Sequence, residues 1–244
     1  MNTYEKFTHT EGNILVIGDT HLPAEHQGYL GFVKRVAELY NCRRVVHIGD
    51  FVDHHSSSFH ESDPDLRSAG DELRFVKQKA QRWYNAFPEV LVCWGNHDAI
   101  PARKLKASGL PSSLLRTPNE IYGAPRGWVW GDSFILDGVL FKHQPEGGNT
   151  LTGQLRGAER NMMSTVTGHC HSTAGVAYSA GYKDTVFAMA TGCGIDRNHK
   201  AFAYGTNSRF KPVIGCGVIF TGGKRAVFVP MDLQAYNQKK KQDI

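Results

Sequence analysis

The chain has 244 residues, 41% of them hydrophobic and 21% charged, with a net charge of +5. These values exclude a disordered chain and allow a large buried core. No apolar run reaches the length of a membrane-spanning helix, and the opening residues 1–6 lack the apolar centre of a signal peptide, so a soluble, cytoplasmic protein is expected.

Ile14 to Ile17 reads as a first strand, with Asp19-Thr20-His21 directly after it. Residues 28–40 carry Leu30, Val33, Ala37 and Tyr40 at helical spacing. A second strand, Val45 to Ile48, leads into Gly49-Asp50-Phe51-Val52-Asp53. The polar loop that follows, from Asp53 to His60, contains His54 and His55 and reads as a solvated rim with some claim to touching substrate. Ala69, Leu73, Val76, Ala80, Trp83 and Phe87 then repeat at alternating four and three residues. Ser68 and Asp71 offer a capping box for that helix, and Pro88 stops it. A third strand, Val90 to Cys93, leads into Gly95-Asn96-His97-Asp98. A β-α-β-α-β order thus covers roughly the first hundred residues.

The second half changes character. Residues 99–142 read as a substrate-facing insertion with Arg103, Lys104, Lys106, Arg116 and Arg126, and with Tyr122, Trp128 and Trp130 as candidate stacking rings. Inside it, Phe134 to Leu136 and Val139 to Phe141 flank Asp137-Gly138, a two-residue hairpin signal. His143 follows that hairpin. Thr165 to Thr167 leads into Gly168-His169-Cys170-His171, and Val213 to Phe220 pairs with Ala226 to Pro230 as a second hairpin. No repeat or linker divides the chain, so one domain spanning 1–244 is expected, ending in a basic tail over 237–244.

Four motifs therefore follow four apolar runs, and ligands at strand ends are held by a rigid sheet. Asp and Asn oxygens combined with imidazoles suit Mn, Fe, Zn, Ni or Co better than Ca or Mg. Two such ions about 3.5–4 Å apart clamp a phosphoryl group and turn a bridging water into hydroxide near neutral pH. Asp50, central in the series, is the natural bridge. The glycines before Asp50, Asn96 and His169 allow sharp turns into a crowded site.

In these motifs the chain resembles the calcineurin-like metallophosphoesterase superfamily, whose pattern is D-x-H, GD-x-x-D, GNH-D/E, a lone His and GH-x-H. The resemblance covers Asp19 to His171 and implies a four-layer α-β-β-α sandwich, two mixed sheets flanked by helices. It implies two divalent transition-metal ions, with manganese the first expectation. One would take Asp19, His21, Asp50 and His171; the other would take Asp50, Asn96, His143 and His169. His97 would face the substrate, oriented by Asp53, and both would be catalytic. The stretches Pro118–Gly123 and Thr191–Asp196 are similar in texture to small phosphoesterases of phages and prophages.

The other histidines carry plainer expectations. His9, His26 and His199 read as surface or hydrogen-bonded residues, and His47 as a satisfied core residue. Five cysteines without a C-x-x-C pair read as free thiols in a reducing compartment. Cys170 is expected to alternate away from the ligands it separates, and Cys193 and Cys216 to be small residues in tight backbone.

The positive charge favours an anionic partner, and the leading expectation is hydrolysis of a nucleotide or nucleic-acid phosphodiester, with Arg103, Lys104, His54 and His55 as candidate substrate contacts. A Ser/Thr phosphoprotein phosphatase or general phosphomonoesterase is the alternative. The phosphatase pattern GD-x-V-D-R-G is broken here, since His54 and His55 stand where its Arg and Gly belong. The DNA-repair nuclease branch carries His at the position of Asp53. A non-catalytic metal-binding scaffold would need a lost ligand, and none is lost.

Overall fold

The computed structural model describes residues 11–58, 65–205 and 209–236, the side chains of 203–205 excepted. His9, Phe59, His60 and the 237–244 tail lie outside the described residues.

Two mixed sheets form the centre. The first runs β11-β10-β1-β2-β3-β4, with β1 (Asn13–Ile17), β2 (Cys42–His47), β3 (Val90–Cys93) and β4 (Trp128–Gly131) parallel, and with β10 (Gly215–Ile219) antiparallel to both β1 and β11 (Ala226–Pro230). The second runs β5-β6-β7-β9-β8. Here β6 (Val139–Lys142), β7 (Ser164–Thr167) and β9 (Thr185–Thr191) are parallel, and β5 (Ser133–Leu136) and β8 (Ala174–Ala180) close the edges antiparallel.

The alternation of side chains along β1 explains its unbroken apolar run. Ile14 and Val16 point into the space between the sheets, where they meet Val46, Ile48, Phe141, Val166 and Met189. Leu15 and Ile17 point the other way, toward α1 (Tyr29–Leu39) and α2 (Ala69–Ala86). On the far side α5 (Leu151–Asn161) lies against β7, β8 and β9. The layers are therefore helix, sheet, sheet, helix.

The helices follow their expected periods with two adjustments. In α1 the fully buried face is Tyr29, Phe32, Val33 and Val36, so Leu30, Ala37 and Tyr40 are flanks rather than the stripe itself. In α2, Ser68 accepts a hydrogen bond from the Asp71 amide, but Asp71 takes the Ser68 hydroxyl in return, not its backbone amide. A full capping box occurs instead at α4 (Pro118–Tyr122), between Thr117 and Glu120.

The 99–142 segment is not one insertion. β4 extends the first sheet beside β3, and β5 and β6 build the second sheet, so only α3 (Ile100–Ala107), a short 3-10 turn at Ser112–Leu114 and α4 lie outside the sheets. The hairpin at Asp137-Gly138 is present, with φ values of 52° and 74° and Leu136 opposite Val139. Its Asp137 carboxylate also binds across the molecule. It pairs with Arg44 of β2 through hydrogen bonds of 2.9 and 2.6 Å, and accepts the Gly222 amide at 3.0 Å from the β10–β11 turn.

Candidate metal centre

Every motif stands at the carboxyl end of a strand: β1 delivers Asp19 and His21, β2 delivers Asp50 and Asp53, and β3 delivers Asn96 and His97. From the second sheet, β6 delivers His143 and β7 delivers His169 and His171. The chain pays for this convergence in backbone conformation: His21, Asp50 and His169 all hold left-handed φ angles of 48°, 50° and 64°, a region that costs a non-glycine residue of order 1–3 kcal/mol. Glycine is required where backbone comes closest. A Cβ on Gly95 would lie 2.1 Å from the Asp50 amide nitrogen, and one on Gly168 would lie 2.3 Å from Asp19 Oδ1.

The side chains form two groups, with the Asp50 carboxylate close to both. Asp19, His21 and His171 offer ligand atoms within 4.8 Å of one another, as do Asp50, His143 and His169. Asp50 Oδ2 stands 3.2 Å from His143 Nε2 and 3.5 Å from His21 Nε2, between the groups. Asn96 Oδ1 lies 3.0 Å from His143 Nε2 and 2.8 Å from His169 Nδ1. Each group draws on both sheets.

Hydrogen bonds behind the rings set which nitrogen faces inward. His21 Nδ1 donates to Asp53 Oδ1 at 2.7 Å, and His143 Nδ1 donates to the Ile48 carbonyl at 3.1 Å. In the neutral rings both Nε2 lone pairs then point at other acceptors. The Nε2 atoms of His21 and His171 are 3.1 Å apart, close to the roughly 3 Å that an ion with bonds of about 2.0–2.1 Å imposes on neighbouring nitrogens. Asp19 Oδ2 accepts the His169 amide at 2.8 Å, whereas its buried Oδ1 has no hydrogen-bond partner. Converging lone pairs and an orphaned carboxylate oxygen are a donor set for divalent cations, and the residues fit such a group.

The electrostatics agree. Burial opposes charge on Asp50, but His143 and then His21 and His97 outweigh it and hold the carboxyl well below its usual range. Burial likewise lowers His143, yet the Asp50 and Asp19 carboxylates raise it to about 9. A proton there relieves part of the crowding of acceptors; a divalent ion does so more fully.

His97 stands differently. Its Nδ1 donates to the Asp53 carbonyl at 2.6 Å and lies 3.2 Å from Asp53 Oδ1. The ring is 20% exposed, as His171 is at 19%, where Asp19, Asp50 and His143 are at most 2%. Burial opposes its charge, but the hydrogen bond to Asp53 and the charge of Asp50 raise it to about 9. Asp53 thus holds His97 through its carbonyl and its carboxylate, and holds His21 as well. His21, Asp50 and His97 also form a third close group.

The remaining expected residues are spread more widely. Arg103 and Lys104 lie on the exposed surface of α3, which begins two residues after Asp98. His54 is no solvated rim residue: its Nε2 meets the Tyr122 hydroxyl at 2.7 Å, and burial lowers it to about 4. The His55 side chain is 14% exposed, and the amides of His55 and Ser56 are bound by the Glu72 carboxylate of α2. Tyr122 and Trp128 are only 1% exposed and pack in the core with Phe51 and Tyr84, so neither ring is available to stack a base. Trp130 is half-buried against Trp94 and Tyr122.

His47 is the satisfied core residue expected, accepting the Gly49 amide at Nδ1 and donating from Nε2 to Thr20. His26 and His199 each accept a nearby backbone amide. Cys170 is buried as expected, though for another reason: the His169 turn, with Cys170 N donating to the Gly168 carbonyl, replaces an extended segment. All five cysteines are free.

Asp98 is a supporting residue that the motif contains without declaring its task. Its carboxylate accepts the amides of Phe51, Val52 and Gly95 at 3.0–3.3 Å, fastening the Asp50 loop to the Asn96 loop. Burial and the Asp50 charge raise it to about 6. Its position next to His97 was the only available signal.

The family model described as calcineurin-like phosphoesterase matches residues 12–205. No curated protein matches the chain significantly. Among solved structures it is similar to Vacuolar Protein Sorting 29 from Cryptosporidium parvum, with 12% identity and a TM-score of 0.46 over 92% of this chain and 100% of that one. It is similar to nuclease MPE of Pseudomonas putida at 15% identity and a TM-score of 0.39, covering 88% and 87% of the two chains. Yfce, a phosphoesterase from E. coli, shares 12% identity at a TM-score of 0.39, with 90% and 98% covered.

Proposed function

The chain belongs to the calcineurin-like phosphoesterase family, and from that premise we propose that it hydrolyses phosphoric esters with two divalent transition-metal ions, manganese first among them. The observation that carries this reading is the gathering of seven donor side chains into two groups around Asp50 Oδ2. Asp19, His21, Asp50 and His171 would hold one ion, and Asp50, Asn96, His143 and His169 the other. When bound, such ions supply Lewis-acid polarisation of the phosphoryl group and ready a water for attack.

The protein's own groups do the rest. Asp53 fixes the rings of His21 and His97. His97, a partly exposed imidazole with a raised pKa, donates a proton to the departing oxygen. Nucleotide or nucleic-acid phosphodiesters are the favoured substrates. With Tyr122 and Trp128 withdrawn into the core, the exposed basic surface of α3 carries that preference, together with the net charge of +5. Among the described residues no helix is long and apolar enough to cross a membrane. The five free cysteines support a reducing, cytoplasmic setting.

The test is a screen of metal-free protein reconstituted with Mn2+, Co2+, Zn2+, Ni2+ or Fe2+. Substrates are bis-p-nitrophenyl phosphate, p-nitrophenyl phosphate, cyclic nucleotides and single- and double-stranded DNA. Diester turnover only after reconstitution is expected. Full turnover by chelated protein would overturn the metal requirement. Efficient monoester turnover, with no binding or cutting of DNA at low salt, would replace the diester preference with a phosphomonoesterase.

A further inference from the structure

The connection between β9 and β10 touches one ligand group on three sides. Gly194 donates its amide to the Asp19 carbonyl at 2.7 Å, and Val213 donates to the His171 carbonyl at 2.7 Å. Between these two contacts the chain delivers Phe202, whose ring meets His21 edge-on at 5.5 Å and His171 edge-on at 6.3 Å. Phe202 is 8% exposed. Its approach is fixed by local bonds: Asp196 N donates to the Ala24 carbonyl, Phe202 N donates to the His199 carbonyl, and Ala201 is buried in the core below. Among the described residues, the ring contacts of Phe202 run to His21, His171 and His199, and none runs to His143 or His169.

We propose that Phe202 is a positioning residue for the ion held by Asp19, His21, Asp50 and His171, and that it acts on this ion rather than on its neighbour. His21 is oriented from behind by Asp53, but nothing in that hydrogen bond stops the two Nε2 atoms, 3.1 Å apart, from swinging away from each other. A flat ring packed against both imidazoles blocks that movement. It also puts an apolar wall beside the ligands, where water would otherwise compete for the cation. Residues that orient metal ligands from behind are commonly worth about 10–100-fold in metal affinity, and an apolar shell adds control of solvent access. The inference rests on the two-ion reading above and adds a division of labour to it.

The test is a titration of metal-free protein with Co2+, followed by calorimetry and ligand-field absorption, for the parent, Phe202→Ala and Phe202→Leu. Each is measured alone and in the Asn96→Ala and His171→Gln backgrounds, which weaken one ion apiece. The parent should take two equivalents, and Phe202→Ala should weaken one of them by about tenfold. Phe202→Leu, which keeps most of the packed volume, should recover most of that loss. In the Asn96→Ala background the ion that stays tightly bound should show the tenfold loss; in the His171→Gln background the ion that stays tightly bound should show none. If Phe202→Ala does not fold, Phe202→Leu decides, with a smaller loss that appears in the Asn96→Ala background and not on the ion that stays tightly bound in the His171→Gln background. Unchanged affinities, or equal weakening of both ions, overturn the positioning role while leaving the two-ion reading intact. A parent that takes fewer than two equivalents overturns both.

Discussion

At the scale of single residues, the proposed reaction separates groups that hold charge from a group that delivers a proton. His97 has the geometry that delivery needs, with one nitrogen bound to Asp53 and a ring that reaches solvent. His97→Ala should keep two ions by metal analysis while lowering turnover by about 10²–10⁴-fold. The loss should shrink for p-nitrophenyl esters, whose leaving group hardly needs a proton; loss of an ion would instead make His97 a ligand. His47 behaves oppositely. Burial pushes it down to about 3 from 6.5, and it is held neutral between the Gly49 amide and Thr20. A lowered folded pKa leaves stability whole above pH 6.5 and removes it as pH falls toward 3, by about 1.4 kcal/mol per pH unit. His47→Gln should therefore unfold in urea with a shallower acid dependence between pH 6 and 4 than the parent. Matching slopes would acquit His47.

At the scale of elements, strands with a motif behind them were legible and several others were not. β1, β2 and β3 announce themselves because a buried apolar run ends in Asp, Asn or His, a break in chemistry that a sequence shows directly, and β7 because its β-branched Thr165-Val166-Thr167 leads into Gly168-His169. β8 does not: Ala174–Ala180 is a half-exposed edge built of small residues, with neither a full apolar run nor clean alternation. α5 hides for a similar reason, since its buried face is Gly153, Gln154, Gly157 and Ala158 rather than large aliphatics. The convergence of the Asp, Asn and His side chains was legible because the motifs that carry them need particular atoms at particular strand ends. Substrate contacts were not, because a basic or aromatic residue reads alike on a rim and in a core; Tyr122 and Trp128 proved to be core. α3 keeps its claim. Reversing the charge of Arg103 and Lys104 should raise KM for an oligonucleotide and flatten its log–log salt dependence by about 1.5. Turnover of small aryl phosphates should barely change, and an unaltered salt slope would remove α3 from the binding surface.

At the scale of the whole molecule, the two sheets are joined by more than apolar packing. Asp137, in the β5–β6 turn, reaches Arg44 and the β10–β11 turn of the opposite sheet, at the strand ends away from the ligands. Asp137→Ala would leave the largely buried Arg44 guanidinium with only part of its bonding, at a cost of about 2 kcal/mol. Denaturant unfolding should register that loss while metal stoichiometry and kcat stay at parental values. A fall in kcat would mean that the two ends of the sandwich are coupled.

The sharing of each ligand group between both sheets has a mechanical side. An ion that bonds Asp19 of one sheet and His171 of the other is a rivet, and so is one that bonds Asn96 and His143. With ions bound as proposed, the sandwich would have a fastening at each end: the carboxylate clasp of Asp137 at one and the candidate metal centre at the other. Stripping the ions would do more than stop turnover. It would free one end of a hinge whose other end stays closed, and backbone amides near His143 and His169 should exchange with deuterium sooner than those near Asp137. Mass spectrometry before and after chelation can follow this opening, and uniform exchange along β6 and β7 would show that the ions bear none of the load.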